Sequence, residues 1–152
     1  MTKRTFAALK PVFQPLVNKL RKDKPDSVSE VPSKKGLYVL SERGKPRYIG
    51  ITGNLRRRWQ LHRHGGASSA SFAIRLARRA TKRKRTYRKE DGLNALMKDE
   101  EFRAAFKRAK ERIRKMEIRY LAWPGDNDDL AIFEIYAAQA LNTTFHNDFS
   151  TH

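Results

Sequence analysis

The chain has 152 residues, and its 34 Lys and Arg against 16 Asp and Glu give a formal net charge of +18, a field that recruits polyanions and puts nucleic acid first among partners. This length favours one compact domain with an extension or insertion, and a hydrophobic fraction of 39% supplies one small core under much solvated surface. The absence of cysteine excludes disulfides, thiolate metal sites and cysteine nucleophiles, and no run of about 18 apolar residues is present to cross a bilayer.

Met1 to Arg4 carries charge and leads into no long apolar region or small-residue cleavage site. A secretory signal is therefore not expected, and the cytoplasm or nucleoid is the default compartment. Residues 1–33 read as an appendage. Phe6, Leu9, Val12, Phe13, Leu16, Val17 and Leu20 recur mostly at three- and four-residue steps, the period of an amphipathic helix. Pro11 and Pro15 interrupt that pattern and predict a short or broken helix. Lys22 to Lys35 carries prolines, serines and charges, the composition of a linker. Residues 36–40 and 46–51 are β-prone runs joined by a turn-forming stretch containing Gly44, which predicts a β-hairpin. Thr52-Gly53-Asn54 offers a turn and a helix cap ahead of residues 55–64. From Gly65 to about Lys115 the chain is highly basic and mostly helix-prone. Residues 116–123 alternate as a third strand, with Met116, Ile118, Tyr120 and Ala122 on one side. A turn over residues 124–127 follows, and Asp128 or Asp129 is placed to cap a helix over residues 130–141. The order β-β-α, helical insertion, β-α, without internal repeat, belongs to the α+β class.

Three groups of residues carry candidate chemistry. Tyr38 and Tyr48 each sit in an apolar strand of the hairpin close to glycine, which permits close approach by a ligand; taken alone they are ordinary strand tyrosines. Arg58 and His62 are four residues apart and project from one helix face. A guanidinium there can grip a phosphate with two parallel hydrogen bonds, and a histidine beside it can hold or move a proton. The triplet Arg56-Arg57-Arg58 also suits a plain solvated or backbone-binding face. Glu134 is the lone acid in the otherwise apolar residues 130–138. A carboxylate in such a setting is costly unless it is paired with a cation or holds a metal, and hard divalent ions choose carboxylate oxygen. Trp59 and Trp123 read as packing residues, and His64 as a surface histidine or a further phosphate or metal contact.

Together these residues resemble the GIY-YIG nuclease family. Gly36-Leu37-Tyr38 is similar to its first signature, with Leu in place of Ile, and Tyr48-Ile49-Gly50 stands as its second. Leu55, Arg58 and His62 match the helix pattern that follows, and Glu134 stands where the family places its metal-binding glutamate. Residues 141–149 resemble the closing segment with its functional asparagine, for which Asn147 is the first choice and Asn142 the competitor; His146 interrupts the usual aromatic-Asn pair. The resemblance covers roughly residues 34–65 and 116–152. It implies a small domain over residues 34–152 with a three-stranded antiparallel sheet flanked by helices and a basic helical insertion at about 66–115.

What the resemblance implies for function is metal-dependent hydrolysis of DNA phosphodiesters by in-line attack of water. Glu134 would hold one Mg²⁺ or Mn²⁺, Arg58 would bind the non-bridging oxygens, Tyr38 is the candidate general base, Tyr48 would position water or phosphate, and His62 would relay the proton or orient Tyr38. Arg56, Arg57, Arg75, Arg78, Arg79, Lys82, Arg83, Lys84 and Arg85, with Arg88 and Lys89, would hold the phosphate backbone without choosing sequence. RNA is the alternative substrate, and a binding module that keeps the fold without cleavage is the alternative function. A membrane partner is not expected, because the basic segments lack a clean apolar face with exposed aromatics. No second DNA-recognition domain is expected after the core, which favours weak sequence choice, a structure-specific substrate or specificity supplied by a partner protein, and cutting both strands with one site would need a homodimer or two sequential nicks.

Overall fold

The computed structural model describes residues 6–22, 30–83 and 92–143. They form an α+β structure with one three-stranded antiparallel sheet and, among the described residues, six helices. The chain divides into two compact units, Met1–Arg56 with Glu117–His152, and Arg57–Met116.

The first unit holds the sheet, in the order β2-β1-β3, from β1 (Gly36–Glu42), β2 (Lys45–Thr52) and β3 (Glu117–Ala122). β1 is central because it is flanked antiparallel by both others, with Tyr38 opposite Gly50 on one side and Tyr120 on the other. The hairpin closes at Arg43 and Gly44, whose φ values of 53° and 79° put both turn residues in the left-handed region that matches strand twist. Leu37, Val39, Ile49 and Leu121 point to one face of the sheet, where they join the core built with α1 (Phe6–Lys22) and α6 (Asn127–Ala140).

Helix α1 runs unbroken through both prolines. Pro11 and Pro15 are four residues apart and both exposed, so the lost amide donors fall on the solvent side. The opposite stripe of Leu9, Phe13, Val17 and Leu20 is buried, and that packing outweighs the proline cost of roughly 3 kcal/mol each. Phe13 lies 5.0 Å from the ring of Phe133, and Tyr136 donates a 2.6 Å hydrogen bond to Gln14. Leu9, Phe13, Val17 and Leu20 of the expected extension thus form one wall of the core.

Residues 30–35, expected as linker, supply backbone acceptors to the start of α2 (Leu55–His64). The amide of Leu55 donates to Lys34 O at 2.9 Å and that of Arg56 to Pro32 O at 3.1 Å, so the orphan donors of the helix end are met by chain rather than by a side-chain cap. Val31 is fully buried. Helix α6 begins earlier than expected. Its cap is Asp126, whose carboxylate accepts from the amides of Asp128 and Asp129, and those two acids instead occupy the first turn, where the helix dipole favours them.

The second unit comprises the rest of α2 with α3 (Ser71–Ala80), α4 (Leu93–Leu96) and α5 (Glu100–Arg114). α3 packs on α5 through Phe72, Ala73, Leu76 and Ala77 against a stripe that includes Phe102, Phe106 and Ile113. Asp99 caps α5 and is ion-paired with Arg83 at 2.5 Å, which fixes the beginning of that helix. At the far end of α2, Lys110 donates to Gly65 O and Arg114 donates to Arg63 O at 3.0 Å.

Gly36 is a point of close backbone approach in the first unit: a methyl group there would collide with the Leu121 carbonyl and lie 2.9 Å from Leu55 Cδ1. Because the main obstacle is the paired strand's backbone, Gly36→Ala is expected to destabilise by about 2–3 kcal/mol. Urea unfolding checks this, and a variant as stable as the parent would contradict the strand packing described.

Candidate functional site

Pairing of Tyr38 with Gly50 places both on the sheet face opposite the α1–α6 core. A Cβ at residue 50 would lie 2.5 Å from Tyr38 Cζ, so the tyrosine ring occupies the volume a side chain would take. Tyr48 is two residues back along β2 on the same face, its ring centroid 6.3 Å from that of Tyr38 and its plane tilted by 39°. Tyr38 is 2% exposed and Tyr48 8%, so each phenol is held by its surroundings in one orientation.

Glu134 lies midway along α6, which packs on β2, and is half-buried. Burial raises its carboxyl pKa above the ordinary value, opposed by a hydrogen bond from the backbone N–H of Ile51. Ile51 follows Gly50 directly, and β2 is an edge strand. The tyrosines and the carboxylate therefore meet the same short segment, Tyr48 to Ile51, from different sides.

Among the described residues no group of three His, Cys, Asp or Glu gathers at one point. The described residues build no caged transition-metal site. One half-buried carboxylate suits a different ion, a Mg²⁺ or Mn²⁺ that keeps most of its waters and completes its shell with substrate phosphate. Glu134 is the residue that would hold such an ion.

The second unit carries Arg58 and His62 on α2. Arg58 is half-buried and donates to Ser69 O at 3.1 Å and to Ser71 Oγ at 2.7 Å, tying α2 to the segment that leads into α3. His62 is fully buried, and burial followed by the nearby Arg58 guanidinium lowers its pKa to about 3. At neutral pH it is an uncharged hydrogen-bonding ring and holds no titrating proton.

The residues expected to hold nucleic acid separate by environment. Arg57, Arg79 and Lys82 are exposed, and Arg75 and Arg78 half-buried, on the second unit. Arg75 and Arg79 are one helical turn apart on α3, away from its apolar stripe. Arg56 and Arg83 are engaged structurally, Arg56 Nε donating to Val31 O at 2.7 Å and Arg83 pairing with Asp99. Asn142 is exposed with φ 58° just past α6, where asparagine tolerates the left-handed turn that ends a helix; the Thr143 amide closes that turn on Ala138 O at 2.9 Å. Asn147, Lys84, Arg85, Arg88 and Lys89 lie outside the described residues.

Sequence reasoning passed over two features. Lys107, Arg108 and Arg112 extend the exposed cationic surface along α5, and their spacing between the buried Phe102, Phe106 and Ile113 was the available signal. Lys110 is buried with its pKa lowered by burial and then by Arg114, at a position that continues the apolar stripe.

Two expectations follow from the titrating groups. For Glu134 the folded pKa is raised, so its favourable contribution belongs to the acid form and is lost as pH rises through that value. Glu134→Gln is therefore expected to melt about 1–3 °C higher than the parent at pH 7–8 in EDTA, with the gap closing as pH approaches about 4. Calorimetry across that range checks it; equal melting at every pH would contradict the buried carboxylate. For His62 the folded pKa is depressed from 6.5, so stability is whole above that value and falls as pH drops toward 3. The parent is expected to lose about 2 kcal/mol between pH 7 and 5, and His62→Gln, less stable throughout, to lose little over the same window. Parallel slopes in urea titrations would show that His62 is not the group responsible.

No family model, no curated protein and no solved structure matches this chain.

Proposed function

We propose that the chain is a metal-dependent endonuclease of the GIY-YIG type that hydrolyses phosphodiester bonds in DNA. The observation that carries the reading is the approach of two oriented tyrosines and a half-buried carboxylate to one edge-strand segment, Tyr48 to Ile51. Glu134 has a burial cost opposed by the Ile51 amide, an arrangement suited to a group kept for a bound cation rather than for stability. When bound there, Mg²⁺ or Mn²⁺ supplies Lewis-acid stabilisation of charge on the phosphate oxygens.

The protein's own groups take the remaining roles. Tyr38 Oη, ionised to the phenolate under the influence of the bound cation, accepts the proton of the attacking water, and Tyr48 Oη orients that water or the phosphate. Arg58 and His62 are assigned to the same reaction by the sequence pattern. Arg58 binds non-bridging oxygens with N–H groups beyond those given to Ser69 and Ser71, which hold its guanidinium in place. His62, uncharged at neutral pH, is assigned an orienting role. The exposed cations of α3 and α5 hold the phosphate backbone. A DNA-directed hydrolase of this kind belongs with the nucleoid or cytoplasm, and no described helix is long and apolar enough to cross a membrane.

The experiment that tests this reading separates binding from cutting. Glu134→Ala is expected to bind DNA like the parent at each salt concentration, with affinity falling steeply as salt rises, and to lose at least about 100-fold in cleavage. Cleavage retained in that variant would remove the role given to Glu134. Tight binding by a parent chain that cuts neither DNA nor RNA would favour the binding module.

A further inference from the structure

A second feature of the first unit lies apart from the tyrosines and Glu134. A cavity of ≈ 310 Å³ opens near the hairpin turn and the last turn of α6. Its polar lining is Arg21 from the end of α1, Arg119 from β3, Ser41 from β1 and Asn142 after α6, and Val39 and Leu141 are part of its apolar wall. Val39 and Arg119 are directly paired across the strands, on the sheet face opposite Tyr38. Neither proposed catalytic tyrosine lines this space, and Glu134 does not.

Among the described residues the lining carries two guanidinium groups and no carboxylate. Arg119 stands in the centre of a strand row otherwise occupied by Val39, Leu37 and Leu121, and its side chain is 15% exposed with Glu117 3.7 Å away at the rim. Arg21 donates one hydrogen bond of 2.7 Å to Ala140 O, which offsets the negative end of α6 beside the cavity. Ser41 is 1% exposed and adds a hydroxyl to the same space. Two forked donors suit the two or three free oxygens of a terminal phosphate. Bare phosphate would leave most of the volume to water, since a cavity of this size lies at the lower end of the roughly 300–1,000 Å³ range of small-molecule sites. The apolar wall accounts for the remainder.

We propose that this cavity binds a small organic phosphate monoester of about nucleoside-monophosphate size, with its phosphate on Arg21 and Arg119 and its organic part against Val39 and Leu141. The site is independent of the hydrolase reading. Its ligand is either a free monoester or the phosphorylated end of a nucleic-acid strand, and the same chemistry recognises both.

The test is an amide NMR titration of the full chain in EDTA, at about 0.3 M salt to suppress loose ion binding. The probes are thymidine 5′-monophosphate, thymidine, inorganic phosphate, and a short single strand with or without a 5′-phosphate. Thymidine monophosphate is expected to shift residues 39–45, 119 and 140–142, binding at least about tenfold more tightly than thymidine or inorganic phosphate. The same shifts with the phosphorylated strand would identify a strand end as the ligand; shifts with the free monoester alone would identify a free nucleotide. Arg21→Ala, at an exposed helix end, is expected to weaken binding about tenfold. Arg119→Lys keeps the charge but not the fork, and an intermediate loss is expected from it. Shifts confined to residues 57–116, or unchanged affinity in both variants with intact spectra, would overturn the assignment.

Discussion

The ring of Tyr38 fills the space above residue 50 that any side chain would otherwise occupy, and much of the first unit depends on that fit. It holds the hairpin to one register. A slip of one residue would set Ile49 or Ile51 against the ring and would also turn Leu37 and Val39 out of the α1–α6 core. The same fit places Tyr48 on the tyrosine face and turns Ile49 toward the helices. Packing and the candidate chemistry are thus set by one missing side chain. Glycine contributes here by volume, since its backbone shows no left-handed φ, in contrast to Gly44 at the turn.

Some charged groups tie segments together within each unit, and others lie exposed on its surface. Arg83, Lys110 and Arg114 tie helix ends within the second unit, and Arg56 anchors the start of α2 to Val31. Such interactions replace solvent at backbone groups that helix termini leave unmet. Glu134 is different, because its burial works against its charge and the Ile51 amide opposes that cost. His62 sits at the other extreme, so deeply buried that its ring is fixed in the neutral form.

Much of the sheet was legible from residues alone, because the hairpin is marked by alternation, by Gly44 in its turn and by glycine beside each tyrosine. Glu134 was legible as a lone acid in an apolar run, although its contact with Ile51 was not, since that depends on how α6 packs on β2. The continuity of α1 was hidden because proline propensity is local, while the packing of Phe13 on Phe133 joins residues far apart in sequence. The cap of α6 was misplaced for a related reason. Three aspartates near the helix start compete, and Asp126 accepts the first amides through a turn that Lys35 also braces by donating to Gly125 O at 2.7 Å. The protonation of His62 follows from burial, which helical spacing alone does not reveal. Arg58 was legible as a phosphate-binding candidate, but its hold on Ser69 and Ser71 required the path of residues 65–70.

The most direct measurement is nicking of supercoiled plasmid by the purified chain with Mg²⁺ or Mn²⁺ and with EDTA, beside Tyr38→Phe. Phenylalanine keeps the ring carbons that cover Gly50 and removes the hydroxyl. The account predicts metal-dependent nicking by the parent and a loss of at least about 100-fold in a folded Tyr38→Phe chain. Equal nicking by the two proteins, or nicking indifferent to EDTA, would contradict it.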